Sequence, residues 1–375
     1  MDTFQNLLKK ISKKFFTLRM RSRGYSAYSS NKIFEAGWND LLHKDSLPLH
    51  KKIWAQKRGF LSDKIEIYEL TEDNYHNYLS DFDYLKLHPI NGRYGAWIDD
   101  KLTMKLILHP FSDYLPDFYF HFVNGEILRL MDCPKSFGED LEGIILLLQE
   151  KGSLAAKPLA GTAGIGFFKF HFEGDNFFLN DQILSKDEIK SHLQALLKLQ
   201  TSYLITEYLY PHKELAKTWN KTANTVRIKI LRGENRKPIV FRPVSRFGTT
   251  QSGVVDNSAA GGIFCALDPV DGSYKEGLTL EEKLTKYEYH PDSMVKLEGQ
   301  VPYWSWMLDV IFQICEYLPQ LTYMGFDLVV TDDGFKIIEI NSLPSIEYGQ
   351  AEEPIFKNED TGPFFRRLLT DVSIN

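Results

Sequence analysis

One stretch of the sequence constrains the fold more than any other: residues 325–341, which read GFDLVVTDDGFKIIEIN. Two apolar runs flank the turn-forming sequence TDDG, and this pattern predicts a β-hairpin. Asp327, Glu339 and Asn341 interrupt the apolar runs. An ionised carboxylate is costly to bury unless a partner compensates its charge. A hairpin of this composition therefore needs a positively charged partner, and the identity of that partner points to the function.

The register of the hairpin decides which face carries the charges. A two-residue loop at 333–334 would pair Leu328 with Glu339 and leave Asp327 on the opposite face. A three-residue loop at 332–334 pairs Asp327 with Glu339 directly. We adopt the second register because it separates polar from apolar side chains more cleanly. Its predicted apolar face consists of Phe326, Leu328, Ile338 and Ile340.

In this register the hairpin has the composition of a metal site. Two carboxylates lie opposite each other, and Asn341 follows Glu339 by two residues on the same face. Opposed carboxylates repel, and a divalent cation between them removes the repulsion. Oxygen ligands of this kind suit Mg²⁺ or Mn²⁺ rather than zinc. Asp327, Glu339 and Asn341 are therefore candidate metal ligands; an exposed hairpin with incidental charges is the alternative that spacing leaves open.

Composition excludes several classes of protein. The 375 residues are 43% hydrophobic, which is enough for one large domain or two to three ordinary ones. The net charge of −6 argues against a nucleic-acid partner. The three cysteines lie far apart and fit a reducing compartment, so we expect a cytoplasmic protein. No segment approaches the ~18 consecutive apolar residues of a membrane-spanning helix.

The first residues, MDTFQNLLKKISKKFFTLRMRSR, predict a basic amphipathic helix. Its apolar side chains recur at helical spacing and are Phe4, Leu7, Leu8, Ile11 and Phe15. The segment lacks the uninterrupted apolar region of a signal peptide. We expect the helix to pack on its own domain; docking on a membrane surface is the alternative, which we do not expect.

Helices and paired strands alternate along the rest of the chain. The segment DYLPDFYFHFVNGEIL predicts a hairpin with its turn at Asn124-Gly125, and LEGIILLLQEKG predicts a helix that ends at Gly152. The segment SKDEIKSHLQALLKLQ predicts a helix with a capping box formed by Ser185 and Glu188. Mixed elements with antiparallel strand patterns indicate the α+β class.

The sequence KPLAGTAGIGFFK predicts a glycine-rich loop between two apolar strands. Gly161, Gly164 and Gly166 permit a tight turn whose backbone N–H groups can approach phosphate oxygens. Lys157 and Lys169 add positive charge on either side. The loop lacks the Gly-Lys-Ser/Thr ending of a P-loop, so a turn without a ligand remains an alternative.

Two further segments carry candidate ligand contacts. ITEYLYPHKELAK places Glu207 at the end of an apolar strand, with Glu214 seven residues later. A strand edge of this kind can hydrogen-bond an adenine and a nearby carboxylate can hold a ribose hydroxyl, although an interdomain linker explains the segment equally well. In NTVRIKILR, Arg227 lies on the face opposite Val226 and Ile228. Such an arginine meets either an anionic ligand or a structural ion-pair partner.

In this order along the chain, the motifs resemble the ATP-grasp superfamily. The candidate metal ligands, an Asp, a Glu twelve residues on and an Asn two residues further, are similar to its metal-site signature. More narrowly, WIDDKLTMKLIL, NTVRI, DNSAAGGI and HPDSM followed by GQVPYW look like the sugar-transfer associated ATP-grasp group. The resemblance covers about residues 95–350, and the preceding residues match only in general character.

The resemblance implies an α+β, ATP-grasp fold with two α+β lobes clasping ATP and an additional N-terminal region. We expect that region, helical or mixed, over residues 1–95. The first lobe is expected over 96–206, with the glycine-rich lid within about 152–206, and the second lobe with the metal site over 207–375.

The resemblance also implies roles for individual residues. Lysines at these positions contact ATP phosphates, the glycine loop forms a lid over them, and the strand end at Glu207 forms the hinge that reads adenine. The expected nucleotide-binding residues are Lys101, Lys157, Gly161, Thr162, Gly164, Gly166, Lys169, Glu207, Tyr208, Leu209 and Glu214. Arg227 and Lys157 are the expected catalytic residues, with Arg227 holding the transferred phosphate. The metal ligands are expected to bind Mg²⁺ or Mn²⁺ that bridges the phosphates.

The reaction implied by the resemblance is amide formation. Most ATP-grasp enzymes phosphorylate a carboxylate to an acyl phosphate, which an amine then attacks. The group suggests cell-surface polysaccharide biosynthesis, in which an amino acid or amine is joined to a sugar acid. The polar stretch 246–262 is expected to line the acceptor site through Arg246, Asp256 and Asn257, with a plain surface loop as the alternative. The alternatives to a ligase are an ATP-grasp kinase and a nucleotide-binding protein without activity.

Overall fold

The computed structural model describes residues 2–43, 47–161, 164–233, 237–280 and 283–371. Its α-helices are Asp2–Arg21 (α1), Ala27–Leu42 (α2), Leu49–Lys57 (α3), Lys64–Ile67 (α4), Asp81–Lys86 (α5), Ala96–Asp99 (α6), Lys101–Ile107 (α7), Leu141–Lys151 (α8), Lys186–Leu197 (α9), Lys213–Ala216 (α10), Trp304–Tyr317 (α11), Glu347–Glu352 (α12) and Gly362–Asp371 (α13). Its strands are Phe118–Val123 (β1), Glu126–Arg129 (β2), Ser153–Pro158 (β3), Phe168–Glu173 (β4), Asn176–Leu179 (β5), Gln182–Leu184 (β6), Tyr203–Glu207 (β7), Val226–Arg232 (β8), Pro238–Phe247 (β9), Ile263–Ala266 (β10), Ser273–Tyr274 (β11), Gly277–Leu280 (β12), Leu284–Tyr287 (β13), Gly299–Gln300 (β14), Tyr323–Thr331 (β15) and Gly334–Asn341 (β16).

The first of two seven-stranded sheets among the described residues has the order β2-β1-β7-β3-β4-β5-β6. Helices α8 and α9 cover one face of this sheet and bury their apolar sides against it. Helix α8 begins where the Asp140 side chain accepts a hydrogen bond from the Gly143 N–H, and it ends at Gly152 in a positive-φ conformation. Helix α9 begins with the predicted capping box of Ser185 and Glu188. Both helix predictions are confirmed.

The second sheet has the order β13-β12-β10-β9-β8-β15-β16 and carries the largest core. Helix α11 packs Met307 and Ile311 against Ile228 of β8 and Phe326 of β15 on one face. The short helices α6 and α7 join the same core, for example through Met104. Together the helices and antiparallel sheets confirm the predicted α+β class. The domain boundaries at 95/96 and 206/207 stay predictions.

The opposite face of the second sheet is only partly covered. Leu231 and Tyr323 pack beneath Phe365 of α13 and beneath Leu79 and Leu87 of the N-terminal region. The N-terminal and C-terminal segments therefore share one core with this part of the sheet. Farther along the sheet, Phe264 of β10 and Leu278 of β12 are buried and pack with Tyr348 of α12. The part of the face around Asp327 borders the cavity described below.

The hairpin of β15 and β16 has the predicted pairing of Asp327 with Glu339, but not the predicted loop. Thr331 pairs with Gly334 around a two-residue turn, so the three-residue loop is wrong. The extra residue is instead a β-bulge at Ile338, because the register shifts between Asp327 and the following residue.

The bulge also changes the apolar face of the hairpin. Leu328 pairs with Ile337, which is fully buried in the core. Ile338, predicted as a core residue, is only partly buried and faces the cavity described below. The prediction for Ile338 is therefore wrong, since a bulge places consecutive residues in positions that regular alternation forbids.

The predicted N-terminal helix is α1, and one of its faces packs on α2. The rings of Phe16 and Phe34 lie 5.6 Å apart, and Met20 near the end of α1 is buried. Within the part of the chain that the structure describes, no helix is both long and apolar enough to cross a membrane.

Candidate active site

A cavity of about 440 Å³ lies between the two sheets. This volume is within the roughly 300–1,000 Å³ that small-molecule sites occupy. Strands β3 and β7 of the first sheet supply one wall, and β8, β9, β15 and β16 of the second sheet supply the other. Predicted site residues on its walls are Lys101, Lys157, Gly161, Gly164, Glu207, Tyr208, Leu209, Arg227, Arg246, Asp256, Asn257, Asp327, Glu339 and Asn341.

Two arginines compensate the buried carboxylate of Asp327. Arg227 donates from Nε to Oδ1 at 2.6 Å and from Nη2 to Oδ2 at 2.5 Å. Arg246 Nη2 lies 3.1 Å from the same Oδ2. Burial alone would raise the pKa of Asp327, but the two guanidinium groups outweigh burial and lower the pKa to about 2. The two arginines compensate the charge of Asp327 in the structure, and metal binding by Asp327 stays a prediction.

Lys101 and Lys157 add positive charge beside Glu339. Lys101 is buried at the start of α7, which Asp100 caps through the Thr103 N–H, and its Nζ lies 3.2 Å from Glu339 Oε2. Lys157 on β3 reaches the same region of the cavity. Burial and the Lys101 ammonium lower the pKa of Lys157 to about 7, although Glu339 acts in the opposite direction.

The three predicted metal ligands lie on one face of the hairpin. Asp327 pairs directly with Glu339, and Asn341 pairs with Gly325 two residues along. The Asn341 Nδ2 atom is buried and has no hydrogen-bond partner within the described residues. Those residues also include no group of three or more His, Cys, Asp or Glu side chains that could hold a metal, because the third donor here is an amide. Two carboxylates and an amide oxygen are hard donors that fit Mg²⁺.

The end of β7 forms a short segment of cavity wall with Glu207, Tyr208 and Leu209. Glu207 is held in place because its N–H donates to the Asp117 carbonyl at 2.9 Å and its Oε2 accepts from the Asp117 N–H at 3.1 Å. Burial raises the pKa of Glu207. Lys169 Nζ lies 4.6 Å from the centre of the Tyr208 ring, at the margin of the cavity.

The glycines of the predicted lid are required by the backbone and by close contacts. Gly164 has φ +68°, and a Cβ atom there would lie 2.7 Å from Cγ1 of Val255. Gly166 has φ +78°, and a Cβ atom there would lie 2.6 Å from the hydroxyl oxygen of Tyr203. A larger residue at either position would be strained. Thr162, also predicted to bind nucleotide, lies outside the described residues.

The polar stretch 246–262 meets the cavity, and Arg246 and Asn257 line it, while their role in an acceptor site stays a prediction. Asp256 is buried, and its Oδ2 accepts a hydrogen bond from the Thr225 N–H at 2.5 Å. This bond ties the stretch to the residue that precedes β8, two positions before Arg227. Asp256 therefore lines the cavity and also holds the polar stretch against the start of β8.

Three predicted nucleotide ligands lie away from the cavity wall. Glu214 is exposed and forms an ion pair with Lys217 at 2.6 Å, so the structure does not bring it to the cavity. Gly166 and Lys169 lie beside the wall rather than on it. The ribose role of Glu214 stays a prediction that the cavity does not support.

Sequence reasoning missed several residues of the wall, including Tyr84, Ile338 and Tyr348. Tyr84 comes from the N-terminal region, and its hydroxyl donates to the Leu343 carbonyl at 2.8 Å. Burial raises the pKa of Tyr84. No local motif marks Tyr84, because its position depends on how the N-terminal region packs on the second sheet.

The protein has two α+β lobes that enclose a basic cavity, and two acidic residues face each other on one strand pair. This arrangement is that of the ATP-grasp class. Residues 86–358 match the family described as sugar-transfer associated ATP-grasp. The match covers well over half of the chain, and the protein belongs to this family. The resemblance predicted from the motifs is confirmed.

Solved structures are similar to this chain at low identity. D-alanyl-alanine synthetase A from Vibrio cholerae is 11% identical, with 75% of this chain and 66% of that chain covered and a TM-score of 0.44. The D-alanine-D-alanine ligase from Coxiella burnetii is 10% identical, with 74% and 57% covered and a TM-score of 0.41. The protein thus spans less than two thirds of the length of these two structures, and we draw nothing about its activity from them. No curated protein matches the sequence at a significant level.

Proposed function

We propose that this protein is an ATP-dependent ligase that joins an amine to a carboxylate through an acyl phosphate. One observation carries the proposal: Lys101, Lys157, Arg227 and Arg246 converge in one cavity with the opposed pair of Asp327 and Glu339. Phosphoryl transfer requires mainly positioning and neutralisation of charge. A cavity with four basic side chains and two carboxylates suits a polyanion and a divalent cation together.

The lysines are suited to the phosphates of ATP. Lys101 and Lys157 are neighbours whose mutual repulsion contributes to the lowered pKa of Lys157. A polyanion between them removes this repulsion, so the site is electrostatically incomplete without one. The hinge of Glu207, Tyr208 and Leu209 is suited to the base, since a strand end supplies backbone donors and acceptors beside apolar side chains.

Asp327, Glu339 and Asn341 are the residues that would hold Mg²⁺ or Mn²⁺. When bound, the metal would neutralise charge on the phosphates. The Oδ1 atom of Asp327 accepts a hydrogen bond from Arg227 Nε alone among the described contacts, so it keeps a lone pair that would be available to the metal. The Oδ2 atom is contacted by both Arg227 and Arg246.

The chemistry proceeds in two balanced steps. An oxygen of the substrate carboxylate attacks the γ-phosphorus of ATP, and the bond to ADP breaks to leave an acyl phosphate. The amine nitrogen then attacks the acyl carbon, the bond to phosphate breaks, and loss of a proton from nitrogen gives the amide and inorganic phosphate. Arg227 is placed to hold the phosphoryl group through both steps. The loop that contains Gly164 is placed to exclude water, which would hydrolyse the acyl phosphate.

We further propose a sugar acid as the carboxylate and an amino acid or amine as its partner, in the biosynthesis of a cell-surface polysaccharide. The words sugar-transfer associated in the family description support a sugar-linked substrate. Arg246 and Asn257 are the candidate contacts for these substrates on the wall of the second lobe. We propose that the reaction takes place in the cytoplasm, where ATP is available.

A screen of purified protein with MgATP, uronic acids and amino acids tests the proposal. We expect ADP release that needs both a carboxylate and an amine, with the amide identified by mass spectrometry. A carboxylate labelled with ¹⁸O will transfer one labelled oxygen to inorganic phosphate, because the acyl phosphate forms through that oxygen. ATP consumption with phosphate transferred to a hydroxyl and no need for an amine would instead identify a kinase, and absence of turnover with every pair would leave only nucleotide binding.

A further inference from the structure

Helix α1 presents an apolar stripe to solvent rather than to its own domain. The stripe consists of Leu7, Leu8, Ile11, Phe15 and Leu18, which recur at spacings of three and four residues. Phe15 and Leu18 are each 70% exposed, and Leu7 is 54% exposed. Large apolar side chains that are exposed together on one face mark an interaction surface.

The contacts of α1 with the rest of the protein use a different face. Phe16 packs against Phe34 of α2, while Lys9 and Lys13 form ion pairs with Glu35 at 2.6 and 2.9 Å. Helix α1 therefore contacts α2 through a face other than the stripe. The expected packing on its own domain is confirmed for this second face, while Phe15 and Leu18 of the stripe are mostly exposed.

Basic side chains border the stripe. Lys10 and Lys14 follow Leu7 and Ile11 by three residues, and Arg19 follows Phe15 by four, so each lies next to the stripe on the helix surface. These basic residues are exposed. The sequence contains no acidic residue between Thr3 and Phe34, although the net charge of the whole chain is −6. Positive charge is thus concentrated on one helix of an acidic protein.

We propose that α1 lies on the surface of an anionic lipid bilayer, with the stripe in the boundary between headgroups and acyl chains. An apolar helix face bordered by lysine and arginine is complementary to such a surface in both hydrophobicity and charge. A second copy of the chain is a poorer partner, because pairing two stripes would bring the basic borders of both copies together. The proposal is independent of the proposed reaction, since it involves no residue of the cavity.

Co-sedimentation of the purified full chain with vesicles tests the proposal without nucleotide or substrate. We expect binding to vesicles of phosphatidylcholine and phosphatidylglycerol, and binding about tenfold weaker to phosphatidylcholine alone. Raising the salt concentration should weaken the first interaction. Ile11→Ser with Phe15→Ser should lower binding about tenfold, and Lys10→Gln with Lys14→Gln should lower it mainly on the anionic vesicles.

A matched control removes exposed apolar side chains elsewhere. Ile183 and Val270 are 65% and 82% exposed and lie outside α1, so Ile183→Ser with Val270→Ser should bind vesicles as the unaltered chain does. Circular dichroism checks that each variant is folded. Failure of the unaltered chain to bind anionic vesicles overturns the proposal, as does equal binding by the folded stripe variant. A stripe variant that only converts a dimer to a monomer in sedimentation velocity also overturns it and assigns the stripe to self-association.

Discussion

Arg227 and Asp327 are direct cross-strand partners on β8 and β15, and both carboxylate oxygens accept hydrogen bonds from the guanidinium group. On its other side, Asp327 is the cross-strand partner of Glu339 on β16. One buried carboxylate therefore lies between a cation and a second carboxylate on the same sheet face. This position couples the stability of the second lobe to the chemistry we propose for it.

Asp327→Ala should lower both stability and turnover. Loss of the carboxylate leaves Arg227 and Arg246 without their shared partner, which should cost about 3 kcal/mol in the free energy of unfolding. Turnover should fall by about a hundredfold or more, because a proposed metal ligand is removed as well. Denaturant titration and steady-state kinetics measure the two effects. Adding Arg227→Met to Asp327→Ala should recover part of the stability but none of the turnover. If Asp327→Ala alone were as stable as the unaltered protein, the coupling would be contradicted.

Nucleotide binding should take up a proton at Lys157. The pKa of Lys157 is about 7 in the free protein and will rise when phosphates lie beside it. Above about pH 7, Lys157 is therefore largely neutral in the free protein but protonated in the bound protein, so binding takes up a proton. Affinity should therefore weaken by up to about tenfold for each pH unit above 7, and should not depend on this group at lower pH. Calorimetry in two buffers with different heats of ionisation measures the uptake. Lys157→Arg, which stays charged, should show none, and an unaltered protein without proton uptake would contradict the assignment.

Glu339→Gln should raise the Mg²⁺ concentration needed for half-maximal turnover by about tenfold or more, because a charged oxygen ligand is replaced by a neutral one. Chelation of the metal should abolish turnover, and Mg²⁺ or Mn²⁺ should restore it. Glu214→Gln is the matched control, since Glu214 is exposed and pairs only with Lys217 among the contacts described for it. If both variants respond alike to Mg²⁺, the hairpin is not the metal site.

Gly164→Ala should impair nucleotide binding more than it impairs folding. Gly164 and Gly174 both have positive φ, and alanine at either should cost about 1 kcal/mol of stability. Only at Gly164 does the added methyl group meet a neighbour, Val255 on the cavity wall, whereas Gly174 has nothing within 4 Å. The KM for ATP should therefore rise for Gly164→Ala alone. An equal KM for the two variants would show that this loop does not close over the nucleotide.

Local features of the sequence were sufficient for much of the fold. The cap at Ser185 and the end of α8 at Gly152 depend on hydrogen bonds and backbone angles within a few residues. The pairing of Asp327 with Glu339 also followed from local alternation of polar and apolar residues. The prediction of the loop type was wrong because a two-residue turn with a bulge and a three-residue turn both pair Asp327 with Glu339.

Long-range packing determined the contacts that local sequence patterns could not predict. The sequence by itself determined which residue types the hairpin, the glycine loop and the basic helix contain, because periodicity and turn chemistry act over short distances. Only the tertiary structure brought Arg246 to Asp327, placed Tyr84 in the cavity wall and turned the stripe of α1 toward solvent. These contacts join segments far apart in the chain, and their geometry depends on the burial of whole sheets and helices, which no local pattern encodes.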